Sequence, residues 1–186
     1  MADQLYLSYW IKGFTEHNML RHFESALRCF PFSRLQPRAL FRVRAVDLGE
    51  PPLLERDFSG SIDIDALLEA AKWRRNRDCA FELETAWDLW QFEDDWKLEP
   101  ARVVIACFAP LFPSEYGEQI RIEFGLDSQF LPQPGIPSSL APTRHNIQSL
   151  LHLVKDLDEA LAVEKRNLWS ESGENFAERL QQALTG

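Results

Sequence analysis

Residues 79–90 alternate apolar and polar side chains over a long run. One set of alternate positions is mostly apolar and consists of Cys79, Phe81, Leu83, Thr85, Trp87 and Leu89; the other set carries Glu82, Glu84 and Asp88. Because successive side chains of a strand point to opposite faces, this period of two predicts a long, half-buried β-strand. The fold must therefore contain a sheet with one apolar face and one polar face.

The segments that precede this strand predict an alternation of strands and helices. Shorter strands are predicted over residues 5–11, 41–45 and 53–58, and helices are predicted after Thr15 and after Ser61 or Asp63. The order strand, helix, strand, strand, helix, strand over residues 1–90 is that of the ferredoxin-like α+β arrangement. In that arrangement both helices cover one face of an antiparallel sheet, and the first and fourth strands are neighbours.

Residues 91–186 predict a ββα extension of this core. Strands are predicted over 102–109 and 119–126, followed by a proline-rich loop over 127–142 and a long helix capped by Thr143. A short helix is predicted to begin at about Asn175. We expect the two strands to extend the antiparallel sheet, the long C-terminal helix to pack on it, and residues 1–186 to form a single α+β domain.

Composition limits the class of protein. The net charge of −9, concentrated in residues 81–186, argues against nucleic-acid binding, which requires basic surfaces. The longest apolar runs are far shorter than the roughly 20 residues of a membrane-spanning helix, so no membrane association is expected. Cys29, Cys79 and Cys107 form no C-x-x-C pair, which favours reduced thiols and a cytoplasmic protein.

Catalytic sequence motifs are missing from the chain. The sequence contains no G-x-G-x-x-G, P-loop, G-x-S-x-G or H-E-x-x-H pattern. No cofactor is therefore expected, and the sequence leaves open whether the protein is an enzyme.

The polar face of the predicted sheet is the main candidate for a site. It combines aromatic and charged side chains from four strands: Tyr6, Ser8, Trp10, Arg42, Arg44, Glu82, Glu84, Asp88, Trp90, Arg121 and Glu123. Such a mixture is typical of a surface that binds a partner or a small ligand, although ordinary cross-strand ion pairs explain it too. An alternative is an enzyme in which Glu82 and Glu84 act as acid and base and Arg44 or Arg121 orients an anionic group.

Two further candidates for contacts involve tryptophan. Trp73 is predicted to be exposed within the basic run of residues 72–77, which is a typical interface composition and a place where a second copy of the chain could dock. Trp87, Trp90 and Trp96 cluster near the acidic residues 93–95, either as core residues that close the sheet or as a partner hot spot.

The predicted long helix carries other titratable groups. His145, His152 and Asp156 share a face and are weak candidates for a metal site, whereas an exposed polar face is the simpler interpretation. Asp158 lies at the edge of the apolar stripe, where we expect an ion pair with an arginine of the sheet or a functional role.

These observations lead to one expected function and one alternative. We expect a binding protein without catalytic activity that holds a protein partner, a second copy or a small ligand through Tyr6, Trp10, Arg42, Arg44, Trp73, Trp90 and Arg121. The alternative is acid/base chemistry on a small substrate by Glu82 and Glu84.

Overall fold

The computed structural model of the chain describes residues 3–171 and 176–185, which form one sheet of seven strands together with four α-helices. The strands are β1 (Gln4–Ile11), β2 (Arg38–Ala45), β3 (Leu54–Ser59), β4 (Cys79–Phe92), β5 (Trp96–Phe108), β6 (Ile120–Leu126) and β7 (Val163–Ser170). The helices are α1 (Met19–Cys29), α2 (Ile64–Lys72), α3 (Leu140–Ala160) and α4 (Phe176–Thr185), and a 3-10 helix spans Asp127–Phe130. The predicted α+β class is confirmed.

The strand order of the sheet is β3-β2-β4-β5-β6-β1-β7, and every neighbouring pair is antiparallel. β5 and β6 were expected to extend a completed core. They instead lie in the middle of the sheet, between β4 and β1.

The ferredoxin-like pairing of β1 with β4 is wrong for this chain. β4 forms a hairpin with β5 through residues 93–95, and its other edge is taken by β2. A hairpin between consecutive strands closes a short loop at small entropic cost, so β5 takes the edge of β4 that β1 would need. β1 pairs with β6 and β7.

All four helices contribute to a core on one face of the sheet. Phe23 of α1 packs between Phe41 and Phe81, with ring centroids 6.4 and 5.6 Å apart, and Leu150 of α3 and Phe176 of α4 are buried in the same cluster. We call the opposite side the helix-free face.

The structure confirms the predicted cap of α2, whereas α1 and α3 do not begin at their predicted caps. Asp63 caps α2 as predicted and accepts a hydrogen bond from the Ala66 N–H at 2.9 Å. Thr15 and Asn18 exchange hydrogen bonds in a turn, so α1 begins only at Met19. α3 begins at Leu140, and Thr143 is buried inside it rather than capping it.

Two predictions concern the C-terminal part of the chain. Asn175, the predicted start of the last helix, lies outside the described residues, and the described part of α4 begins at Phe176. β7 was not predicted.

None of the described helices has the length and hydropathy needed to cross a bilayer.

Candidate functional site

Two rows of side chains run across the helix-free face from β2 to β7. The strand register places in the first row Arg42, Glu82, Ala106, Arg121, Ser8 and Asn167. The second row consists of Leu40, Glu84, Val104, Glu123, Tyr6 and Trp169. The face therefore has a charged half on β2 and β4, a centre of small apolar residues on β5, a second charged pair on β6, and an aromatic half on β1 and β7.

The carboxylates of β4 do not stand beside the aromatic residues of β1, as the ferredoxin-like arrangement implied. β5 and β6 lie between the two strands, so their backbones are roughly 14 Å apart at the usual strand spacing. The cross-strand neighbours of Tyr6 and Ser8 on β6 are Glu123 and Arg121.

Glu82 and Glu84 are both held by arginines. Arg42 Nη1 lies 3.2 Å from Glu82 Oε1 and 3.3 Å from Glu84 Oε2, and Arg44 Nη2 lies 3.6 Å from Glu82. Hydrogen bonds from Arg102 and Arg42 hold the pKa of Glu84 below its ordinary value. A general acid at neutral pH needs a raised pKa, so this geometry does not favour the acid/base alternative, which stays a prediction.

A second charged group lies near the centre of the face. Arg121 is nearly buried and contacts the fully buried side chain of Glu118 at 3.3 Å and Glu123 at 3.1 Å. Burial outweighs Arg121 and raises the pKa of Glu123, and the nearby charge of Glu82 raises it further. Arg121 is thus committed to two internal partners and does not present a free cation to a ligand.

The aromatic half of the face is built around Trp169 of β7. Its ring stacks on Tyr6 at 4.3 Å between centroids and meets Tyr116 edge-on at 4.9 Å, while its indole N–H donates to Ser8 Oγ at 3.0 Å. Burial raises the pKa of Tyr6 to about 12, with the charges of Glu123 and Glu171 adding to the effect. Trp10, two residues beyond Ser8, carries the Lys165 ammonium 4.5 Å from its ring centroid. We call Tyr6, Trp10, Tyr116 and Trp169 the aromatic patch.

The loop between β5 and β6 rises beside this patch and covers the centre of the face. Phe112 stacks on Phe108 at 5.6 Å and forms a small second cluster with Ala80 and Ala106. Glu118, held by Arg121, anchors the end of the loop. The aromatic patch and the area where β2, β4 and β5 meet lie beside the loop and stay accessible.

The tryptophan-rich end of the sheet has an internal role. Trp87 is buried in the main core. The Trp96 indole N–H donates to the Pro137 carbonyl at 3.0 Å, and Trp90 and Trp96 line a cavity of about 220 Å³ together with residues of the proline-rich loop. The loop over 127–142 therefore packs against this end of the sheet.

Trp73 lies apart from the helix-free face, just after α2. It is 80% exposed, and the Lys72 ammonium lies 5.9 Å from its ring centroid. The structure therefore does not bring Trp73 together with Tyr6, Trp10 or Arg121, and any contact made there is a separate one.

The candidates on α3 stay apart from one another. His145, His152 and Asp156 are exposed, and within residues 3–171 and 176–185 no group of three or more His, Cys, Asp and Glu side chains is arranged to hold a metal ion. Asp158 makes the predicted ion pair with an arginine of the sheet, Arg166 of β7, and also accepts a hydrogen bond from the Tyr9 hydroxyl at 3.2 Å.

Several residues of the face were not predicted. Trp169 and Lys165 were missed because β7 was missed, and Tyr116 because it lies in a loop without periodicity.

Comparisons with protein-family models, with curated proteins and with solved structures found no match for this chain.

Proposed function

We propose that this protein is a non-catalytic binding protein whose aromatic patch holds a protein partner. The observation that supports the proposal best is that all four described helices serve the other side of the sheet, while Tyr6, Trp10, Tyr116 and Trp169 stay accessible on the helix-free face. Tyrosine and tryptophan, with arginine, are the residues enriched in binding hot spots.

The shape of the patch favours a protein over a small molecule. A sheet face with an aromatic rim is shallow, whereas small molecules bind in concave pockets that surround most of the ligand. Tyr116, which is 53% exposed, and the partly exposed rings beside it offer a broad surface of this shallow kind.

The patch is also preorganised. The Trp169 ring is fixed by two aromatic contacts and a hydrogen bond to a buried hydroxyl, and Trp10 is fixed by Lys165. Because these side chains lose little rotamer freedom on binding, the entropic cost of association is small.

Affinity capture followed by reconstitution with the purified partner tests the proposal. We expect Trp10→Ala and Tyr116→Ala each to weaken binding of the purified partner at least about tenfold. Leu48→Ala, an exposed apolar residue in the turn between β2 and β3, serves as the matched control and should bind like the wild type.

A separate variant distinguishes the second tryptophan surface. Trp73→Ala should not affect the same partner, because Trp73 lies away from the patch. If the partner binds Trp10→Ala and Tyr116→Ala as tightly as the wild type, the proposal is wrong. Sedimentation of the wild type and Trp73→Ala shows whether the basic run carries self-association.

A further inference from the structure

The second accessible region of the helix-free face contains a cavity of about 270 Å³ where β2, β4 and β5 meet. Five of the residues that line it determine its chemistry: Gln36, Arg38, Glu84, Ala86 and Arg102. It lies at the charged half of the face, away from the aromatic patch, so what it binds does not depend on the function proposed above.

The strand register explains why a cavity forms there. Arg102 of β5 is the cross-strand partner of Ala86 on β4, and Leu40 of β2 is the partner of Glu84. Arg38, two residues before Leu40, therefore lies on the same face beside Ala86. The Ala86 side chain ends at Cβ, so it forms a low floor between two long cationic side chains whose strands are roughly 10 Å apart.

Two arginines, Arg38 and Arg102, and two carboxylates, Glu84 and Asp88, surround this floor. Within residues 3–171 and 176–185 Arg38 takes part in no ion pair. Arg102 contacts Glu84 at 3.1 Å, yet its side chain is 62% exposed and keeps accessible N–H groups. Glu84 is also bonded by Arg42, so its charge is already matched from the other side. Two accessible guanidinium groups thus face a concave site in a protein whose net charge is −9.

The walls of the cavity are fixed by hydrogen bonds that involve no ligand. Asp88 accepts from Ser33 Oγ at 2.5 Å and from the Arg34 N–H at 2.9 Å, which holds the loop that carries Gln36. The Thr85 hydroxyl donates to the Arg38 carbonyl at 2.9 Å and fixes the start of β2. A site with such walls needs little reorganisation to receive a ligand.

We propose that this cavity, lined by Arg38, Ala86 and Arg102, binds a small anion through a carboxylate or phosphate group. Guanidinium groups match the planar oxygens of carboxylates and the oxygens of phosphates by paired N–H donors. The volume admits a group the size of inorganic phosphate or of a short dicarboxylate, and the Gln36 amide offers a neutral donor at the rim.

Isothermal titration of the full chain with inorganic phosphate and, separately, with succinate tests the proposal. At low ionic strength we expect saturable binding of one molecule per chain for at least one of the two anions, and the anion that binds identifies the preferred group. Arg38→Gln is the decisive variant, because Arg38 is exposed and unpaired within the described residues, so its loss does not disturb the fold. It should weaken binding at least about tenfold.

Two further variants separate a built site from general attraction by positive charge. Arg74→Gln removes an equal charge from the exposed basic run and should leave anion binding unchanged. Ala86→Leu fills the floor without changing any charge and should abolish binding, with circular dichroism as the check that the variant folds.

The outcome that overturns the proposal is absence of saturable binding of both anions up to about 10 mM, a concentration at which even weak specific sites are occupied. An equal loss of affinity in Arg38→Gln and Arg74→Gln overturns it as well. The partner-binding variants Trp10→Ala and Tyr116→Ala should retain the anion, so failure of this proposal is distinguishable from failure of the proposed function.

Discussion

Glu84 and Glu123 lie on either side of Val104 in one cross-strand row, and their pKa values move in opposite directions. Hydrogen bonds from Arg102 and Arg42 lower the pKa of Glu84, whereas burial raises the pKa of Glu123 despite its contact with Arg121. Glutamates one strand apart on each side of the same valine therefore respond differently to pH.

Replacing Glu84 or Glu123 by glutamine should change stability with opposite signs at neutral pH. We expect Glu84→Gln to lower the free energy of unfolding by about 0.5–1 kcal/mol, the size of a partly exposed ion pair. We expect Glu123→Gln to raise it by up to about 1 kcal/mol, because the variant removes a charge whose burial is unfavourable.

The pH dependence of the free energy of unfolding tests the sign predicted for each of the two variants. The folded pKa of Glu84 lies below its ordinary value of 4.5, so its stabilisation is present above pH 4.5 and is lost as the pH falls through the lowered pKa. The folded pKa of Glu123 lies above 4.5, so the wild type loses stability as the pH rises from 4.5 through the raised pKa. Urea unfolding at neutral pH and well below pH 4.5 measures both effects. Destabilisation by both variants at neutral pH would show that the Arg121 contact outweighs burial.

Tyr6 and Tyr9 should resist ionisation in the folded protein. Burial raises the pKa of Tyr6 to about 12 and also raises the pKa of Tyr9. Their contribution to stability is present below the ordinary pKa of 10.0 and is lost as the pH rises through the raised values. Alkaline titration followed by tyrosinate absorbance should therefore show that two of the three tyrosines ionise only together with loss of structure, and that they reach a midpoint near 10.0 only in urea. Ionisation of all three tyrosines without loss of circular dichroism would contradict this prediction.

Asp158 should matter for stability because it satisfies a buried hydroxyl. Tyr9 is fully buried and donates to Asp158, so Asp158→Ala leaves the hydroxyl without its acceptor and should cost about 1–3 kcal/mol. Glu159→Ala, at the next and exposed position of α3, is the control and should stay within about 0.5 kcal/mol of the wild type. Equal stabilities of the two variants in urea unfolding would remove Asp158 from this role.

Periodicity was enough to predict the elements that have one apolar side. The strand over residues 79–90, the helix carrying Phe23 and the long helix carrying Leu150 each repeat their apolar residues at the spacing of their structure, because each buries one side in the same core. The class of fold follows from these elements alone.

β7 was not predicted because its sequence lacks an apolar repeat of this kind. It is an edge strand, and its residues 164–167 are glutamate, lysine, arginine and asparagine, all exposed. Charged edge strands prevent association with other sheets, so selection for a charged edge removes the apolar alternation by which a strand is recognised. Because Trp169 and Lys165 lie on β7, they were missing from the predicted site as well.

The anion cavity could not be predicted because it depends on register between three strands. Arg38, Ala86 and Arg102 are far apart in the sequence, and none of them stands in a motif. They become neighbours only because β4 pairs with β2 on one edge and with β5 on the other, and local periodicity carries no information about pairing partners.

The position of β1 has a consequence for the order of events during synthesis. Both of its neighbours in the sheet, β6 and β7, come from residues 120–170, so β1 leaves the ribosome long before its partners and cannot be paired until they have followed it. Closing such distant contacts is slow, and Leu5 and Leu7 remain without their core until then. A nascent chain of this protein therefore needs protection of β1 for longer than of its β4–β5 hairpin.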